Sequence, residues 1–413
     1  MAPLGFGHDR LATRPHTRID DSHHDPIGQV LHRPQQSESP GTDIAPSNVV
    51  GDVDNPDVRC DASHHTMHYS DELVFEPEVA HEGNRSCRHR VAQDTGGRAA
   101  RSSRNYDRER QHQQPEGANV PDDIHAPLLD DLARRRGVVM LLGAPDTGKT
   151  TFALRLVAAA LAAGKTVAYV DGDTDQKTCG PPTCTGMKMV RSQADLEDLS
   201  NADRLHFVGS IAAEGVVLQH VVATAALVDA ARPEADLTVV DTMGTISGVI
   251  GQTLQYHTME LVRPDVAIGL QRGAELEPVI GMLRRFFSAD VETTAIDPEV
   301  LPGSPDSRRA HRAKRLAAAF AEPLQRWRVR ETVFAPTLPA GLDQAKLHGV
   351  LVGLQDGEGL CLGLGVLDHS DNALRVVTNS GDDMRGLRLG SVTMDLATFE
   401  LQRFNLRELM FGI

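Results

Sequence analysis

The sequence predicts an α/β fold on a mainly parallel sheet, with a small β-rich C-terminal domain after it and a disordered tail before it. Three observations carry this. Between about 123 and 326, short apolar runs alternate with alanine- and leucine-rich helical stretches, the rhythm of strand–helix–strand units that require a parallel sheet covered on both faces. From Trp327 onward the texture changes to short apolar strands broken by glycine turns. Residues 1–122 show neither helical nor strand periodicity, and Pro, Asp, Ser, Arg, Gln and His fill the gaps.

The 413 residues include 57 acidic and 42 basic side chains, a formal charge of −15. That balance excludes a protein coated in basic charge while leaving room for a local basic groove. No apolar run approaches the ~18 residues of a membrane-spanning helix. The N-terminus lacks a basic-then-apolar signal pattern, so a cytoplasmic location is expected. Five scattered cysteines make no disulfide framework. Cys60, His64, His65, His68, Cys87 and His89 are zinc-ligating types, but their order matches no strong zinc spacing and no apolar framework surrounds them; a solvated tail is expected there.

Order begins near Asp122, with a short amphipathic helix running to Arg136. The run Gly137–Leu142 reads as a buried parallel strand, and 150–163 as a helix ended by Gly164. Strands follow at 166–170, 205–208, 237–240 and 266–270, with helices at about 213–231 and 252–262. Later strands lie within 349–366, 374–377 and 387–394. Three segments result: a tail over 1–122, a nucleotide-binding domain over 123–326 and a β-rich domain over 327–413.

Between the first strand and its helix lies Gly143-Ala144-Pro145-Asp146-Thr147-Gly148-Lys149-Thr150, followed by Thr151. It fits G-x-x-x-x-G-K-[ST] in the strand–loop–helix context that gives that pattern meaning, so a P-loop NTPase fold is expected. Backbone N–H groups and the helix N-terminus would face phosphate oxygens, Lys149 would reach the β- and γ-phosphates, and Thr150 would ligate Mg²⁺. No guanine-reading N-K-x-D or T-K-x-D follows, so ATP is the expected nucleotide.

After the second strand comes Asp171-Gly172-Asp173-Thr174-Asp175-Gln176. The carboxyl end of a parallel strand is where ligands bind, and three aspartates together need a metal, a proton or basic groups to balance them. A phosphoryl-transfer site needs one carboxylate to take the proton of an attacking hydroxyl and another to hold Mg²⁺ through water.

The loop G-x-x-D-x-G-K-T, this D-x-D-x-x-Q segment and Gly180-Pro181-Pro182 together resemble the polynucleotide 5′-hydroxyl kinases. That family includes the kinase subunit of the pre-mRNA cleavage machinery, the ribosomal-RNA-processing kinases and archaeal relatives. Asp241-Thr242-Met243-Gly244, Arg263-Pro264-Asp265 and the glycine-rich strands from Leu347 to Gly365 extend the resemblance over about 123–400. It implies Asp173 as the base for the 5′-hydroxyl, Gln176 and Asp241 beside the substrate, and Asp171 beside Mg²⁺-bound water. The family pattern is D-x-D-x-G-Q, and Asp175 stands in place of the glycine. A glycine there suggests a positive φ, which Asp tolerates less well, and the added charge would repel phosphate.

Ser307 to Leu316 is the most basic stretch of the chain, and Arg308, Arg312 and Arg315 share a face at helical spacing. By residue type alone it is a solvated helix face. By the resemblance it is a lid near 305–320, with Arg308 and Arg312 closing over the phosphoryl group. Trp327 is expected to pack the domain junction ahead of stacking on bases, with Tyr256 a weaker clamp candidate; Cys179 and Cys184 are expected to be loop or packing residues. The reading is an ATP-dependent, Mg²⁺-using kinase of polynucleotide 5′-hydroxyl ends in RNA processing, RNA ahead of DNA. A non-catalytic ATP-holding scaffold and a P-loop kinase of a small hydroxylated metabolite are the alternatives.

Overall fold

The computed structural model describes residues 76–77 and 123–411. The expected disordered tail and the Cys60–His89 cluster lie outside the described residues, Glu76–Pro77 apart. That pair forms a two-residue strand, β1.

Helix α1 (Ala126–Arg134) carries Pro127 in its first turn, where no intrahelical N–H bond is lost, and buries Leu129, Leu132 and Ala133. Then follow β2 (Gly137–Gly143), α2 (Lys149–Ala162), β3 (Val167–Asp171), β4 (Cys184–Val190), α3 (Gln193–Glu197), β5 (Arg204–Phe207) and α4 (Val217–Ala231). The chain continues through β6 (Leu237–Asp241), α5 (Gly248–Val262), β7 (Val266–Gln271), α6 (Glu277–Phe286) and β8 (Asp290–Ala295). The strands order as β5-β4-β3-β6-β2-β7-β8. Within this sheet only β4 is reversed, antiparallel to both β3 and β5.

Strand β2 shows why its sequence is a continuous apolar run. Val138, Met140 and Leu142 face a core built with α4, α5 and α6, while Val139 and Leu141 face one built with α1 and α2. Both faces are dry, so alternation disappears. Two strands of this sheet were not anticipated. β4 follows the Gly180-Pro181-Pro182 turn and is buried throughout, and β8 is an exposed edge strand rich in Thr and acid.

Beyond the first sheet come α7 (Pro305–Ala319), β9 (Gln325–Arg328), β10 (Val350–Gln355), β11 (Cys361–Ser370), β12 (Ala373–Thr378), β13 (Gly386–Met394), β14 (Leu401–Arg403) and α8 (Leu406–Phe411). The second sheet orders as β1-β9-β12-β11-β10-β13-β14 and is antiparallel throughout. Trp327 is buried in the second sheet's own core with Val352, Leu367 and Val376, and not at the domain junction where its packing was expected. The sheets meet where Phe207 of β5, Leu316 of α7, and Leu351 and Leu364 of the second sheet share one cluster. Among the described residues no helix is long and apolar enough to cross a membrane.

Candidate functional site

The loop from Gly143 to Gly148 turns β2 into α2, and Gly148 adopts φ 82° as the residue before the helix. A side chain there would press on Val300. Lys149 is buried, and its Nζ donates to the carbonyls of Gly143 at 3.0 Å and Ala144 at 2.9 Å. Burial lowers its pKa against the pull of Asp241, Asp173 and Asp146. The ammonium is satisfied by the loop's own carbonyls, which phosphate oxygens would outcompete as charge-assisted partners.

The Thr150 hydroxyl donates to Asp241 Oδ2 at 2.6 Å, and the Tyr169 hydroxyl donates to the same oxygen at 3.2 Å. Asp241 Oδ1 is buried with no partner. Burial, reinforced by Asp171, pushes the Asp241 carboxyl up to about 7, partly countered by Lys149 and Thr150. An orphaned, protonatable oxygen beside a P-loop hydroxyl is a pair of hard oxygen donors, and it fits Mg²⁺.

Asp171 lies elsewhere. Fully buried, it pairs with Lys177 Nζ at 3.0 Å and accepts the N–H groups of Asp173 at 3.0 Å and of Thr178 and Cys179 at 2.8 Å each. Both oxygens are committed to holding the loop, so the metal-side position expected for Asp171 is not the one it occupies. Lys177 also donates to the Asp171 carbonyl at 3.0 Å. From α4, His220 Nε2 meets the Gly172 carbonyl at 2.6 Å. Burial drives the His220 pKa down to about 4, so the neutral ring donates this bond and steadies the loop between the two aspartates.

Asp173 Oδ1 accepts the N–H groups of Asp175 at 2.8 Å and Gln176 at 3.0 Å. Its Oδ2 takes no hydrogen bond from the described residues. Gln176 Nε2 donates to Asp175 Oδ2 at 3.0 Å and to the Arg308 carbonyl at 3.4 Å. Asp175 does not adopt a positive φ, and its carboxylate is ion-paired with Arg312. Both objections to aspartate at this position are thereby met: the turn is unstrained and the charge is balanced.

Helix α7 opens on Ser304, whose hydroxyl accepts the Ser307 N–H at 3.1 Å, and crosses the top of the sheet. Arg308 pairs with Asp146 of the P-loop, Arg312 with Asp175, His311 reaches the Lys177 carbonyl at 2.9 Å, and Arg315 donates to the carbonyls of Gly180 and Ser200 at 2.6 and 2.8 Å. Arg309 points away, 4.0 Å from Asp306 on its own helix.

These groups surround a cavity of about 450 Å³. Pro145 to Thr151, Asp173, Asp175, Gln176 and Arg308 line it. Gly143, Ala144, Asp171, Asp241 and Arg312 are not among its lining residues. Tyr256 is not brought to it; its ring packs against Phe286 and Phe287. Cys179 and Cys184 are buried, and burial pushes the Cys179 thiol up to about 12. The residues not anticipated are Lys177 and His220 beneath the acidic segment and, in the lining, Ile211, Ala212, Glu214, Thr245, Val300, Leu301 and Arg403. Lys177 alone had a nearby signal, a lysine one residue after the acidic segment.

A P-loop on a parallel sheet, with its threonine bonded to a carboxylate at the next strand end, defines a P-loop NTPase-type protein. The family model described as the mRNA cleavage and polyadenylation factor CLP1 P-loop matches residues 143–322. The chain is 25% identical over 348 residues to a polyribonucleotide 5′-hydroxyl-kinase of Pyrococcus furiosus, covering 71% of this chain and 92% of the relative. It is 25% identical over 320 residues to a protein of the same name from Methanocaldococcus jannaschii, covering 62% and 87%. It is 32% identical over 164 residues to another from Pyrococcus horikoshii, covering 39% and 45%. Clp1p in its complex with Pcf11p superposes with a TM-score of 0.50 at 12% identity, over 64% of this chain and 78% of that one, which shows a shared fold.

Proposed function

We propose that this protein is an ATP-dependent polynucleotide 5′-hydroxyl kinase acting in RNA processing, with RNA preferred to DNA. The observation that carries it is Asp173. One oxygen is fixed by its own turn and the other is left without a hydrogen bond, on the wall of the cavity that Lys149, Thr150 and Arg308 also line. A carboxylate so held can accept the proton of the 5′-hydroxyl as its oxygen attacks the γ-phosphorus, the bond to the β,γ-bridging oxygen breaks and ADP departs. Lys149 exchanges its loop carbonyls for β- and γ-phosphate oxygens. Arg308 and Arg312 supply guanidinium charge against the equatorial oxygens. Thr150 and Asp241 would hold Mg²⁺, which when bound neutralises phosphate charge.

The kinase names of the archaeal relatives support the reading. So does the Asp175–Arg312 pair, which removes the charge that would have favoured a non-catalytic scaffold. The test is transfer of labelled γ-phosphate from ATP and Mg²⁺ to short 5′-hydroxyl RNA and DNA, beside Lys149→Ala. Label at the 5′ end with wild type and none with the variant is expected. ATP binding without label on either polymer would overturn the proposal.

A further inference from the structure

The cavity has two unlike sides. Val300 and Leu301, which follow β8, stand on one; Ile211, Ala212 and Glu214, which follow the opposite edge strand β5, stand on the other. Arg403 lines the cavity too, although it belongs to the second sheet. Its place is on the β5 side. Arg403 sits opposite Val392 in the β13–β14 pairing, and the neighbouring Ser391 donates its N–H at 2.7 Å and its hydroxyl at 3.2 Å to the Gly209 carbonyl. Gly209 leads directly into the Ile211–Glu214 stretch.

The cavity's other cations are engaged: Lys149 with loop carbonyls, Arg308 with Asp146. The Arg403 guanidinium is exposed and has neither hydrogen bond nor ion pair among the described residues. It faces a lining that also holds Asp173, Asp175 and Glu214. A polyanion approaching that lining meets repulsion unless a cation stands at the entrance, and a guanidinium fork suits phosphate.

We propose that Arg403 binds a backbone phosphate of the acceptor strand, so that the second sheet furnishes a phosphate subsite separating a polynucleotide from a lone nucleoside. This rests on the kinase reading of the same cavity. In-line attack places donor and acceptor on opposite sides of the γ-phosphorus. The P-loop side takes the donor, which leaves the β5 side to the acceptor and its first internucleotide phosphate to Arg403.

The test is fluorescence anisotropy of a labelled ten-nucleotide 5′-hydroxyl RNA with the full-length protein, comparing wild type, Arg403→Gln and Arg403→Lys across a salt series. ATP binding is measured in parallel. Arg403→Gln should weaken RNA binding about tenfold and reduce the salt slope by about 0.7, the share of one single-strand phosphate. ATP affinity should be unchanged, and Arg403→Lys should recover most of the loss. Equal RNA affinity and slope in Arg403→Gln, or lost ATP affinity in place of RNA affinity, overturns the proposal. Wild type that binds the RNA but transfers no phosphate sinks the kinase reading alone, because the variant still decides the contact. Wild type that binds no RNA overturns the Arg403 proposal, while label on 5′-hydroxyl DNA would still carry the kinase reading.

Discussion

Asp241 shows what a single buried carboxyl does to the behaviour of this protein. Its pKa is raised to about 7 by burial, against an ordinary value of 3.8. Between those values the native state holds a proton that the unfolded chain has released, so stability falls as pH rises through this window. For the ligand-free protein, Tm should drop by at least about 3 °C between pH 5 and pH 8, since about 1 kcal/mol moves a domain of this size by about 2–4 °C. Asp241→Asn should flatten that dependence, and a scanning-calorimetry series in pH checks it. Metal binding must displace the same proton. Mg²⁺ should therefore raise Tm more at pH 8 than at pH 6 in wild type, and by a similar small amount at both in Asp241→Asn. Local motifs made this residue legible in the sequence as a strand-end acid. Its pairing with Thr150 depends on the first turn of a helix 91 positions away. His220 and Lys177 were not legible because neither belongs to a pattern; their roles exist only where the fold sets them against Gly172 and Asp171.

Helix α7 is held down along one face by contacts of two kinds. Arg308 and Arg312 make ion pairs with acids of the P-loop and of the acidic segment, both partly exposed and so individually weak. His311 and Arg315 make bonds to main-chain carbonyls of the segment joining β3 to β4 and of the turn before β5. The first kind can be traded for phosphate; the second cannot. Arg315→Ala should therefore loosen the helix without touching the chemistry. Hydrogen exchange over 305–319 should rise at least about fivefold, with KM increased and kcat changed less than about threefold. Arg312→Ala should instead lower kcat by about 10²-fold, the scale of one lost donor to transition-state charge. Steady-state kinetics on the two variants separates these roles. The helix and its arginine face were legible because their period is local. β4 was not, because a strand covered on both faces lacks alternation and this one also contains Lys188. The start of α5 at Gly248 was hidden by Gly248 and Gly251, which read as loop.

At the scale of the whole molecule, the two sheets share a buried cluster, and the cavity draws residues from both. Gly353 of β10 lies against Phe207 of β5, and a Cβ there would fall within contact distance of the ring's Cγ and of Phe207 Cβ. Neither atom is a flexible tip, so Gly353→Ala should destabilise by roughly 1–3 kcal/mol through overpacking. A denaturant melt read by the Trp327 signal measures it. The same substitution should weaken RNA binding more than ATP binding if Arg403 reaches the cavity from its own sheet. The sequence announced a β-rich C-terminal part but not that it supplies a cavity wall, since Arg403 lies in a three-residue edge strand with no motif around it.

Asp173 is the centre of the account, and Asp173→Asn is the variant that bears on it most directly. The amide keeps an oxygen for the N–H groups of Asp175 and Gln176 while losing the ability to take a proton. Single-turnover transfer of labelled phosphate to 5′-hydroxyl RNA, with ATP and RNA affinities measured on the same samples, should show a loss of about 10²–10⁴-fold in rate at unchanged affinities. A rate within about threefold of wild type would contradict Asp173 as the base and remove the observation on which the kinase reading stands.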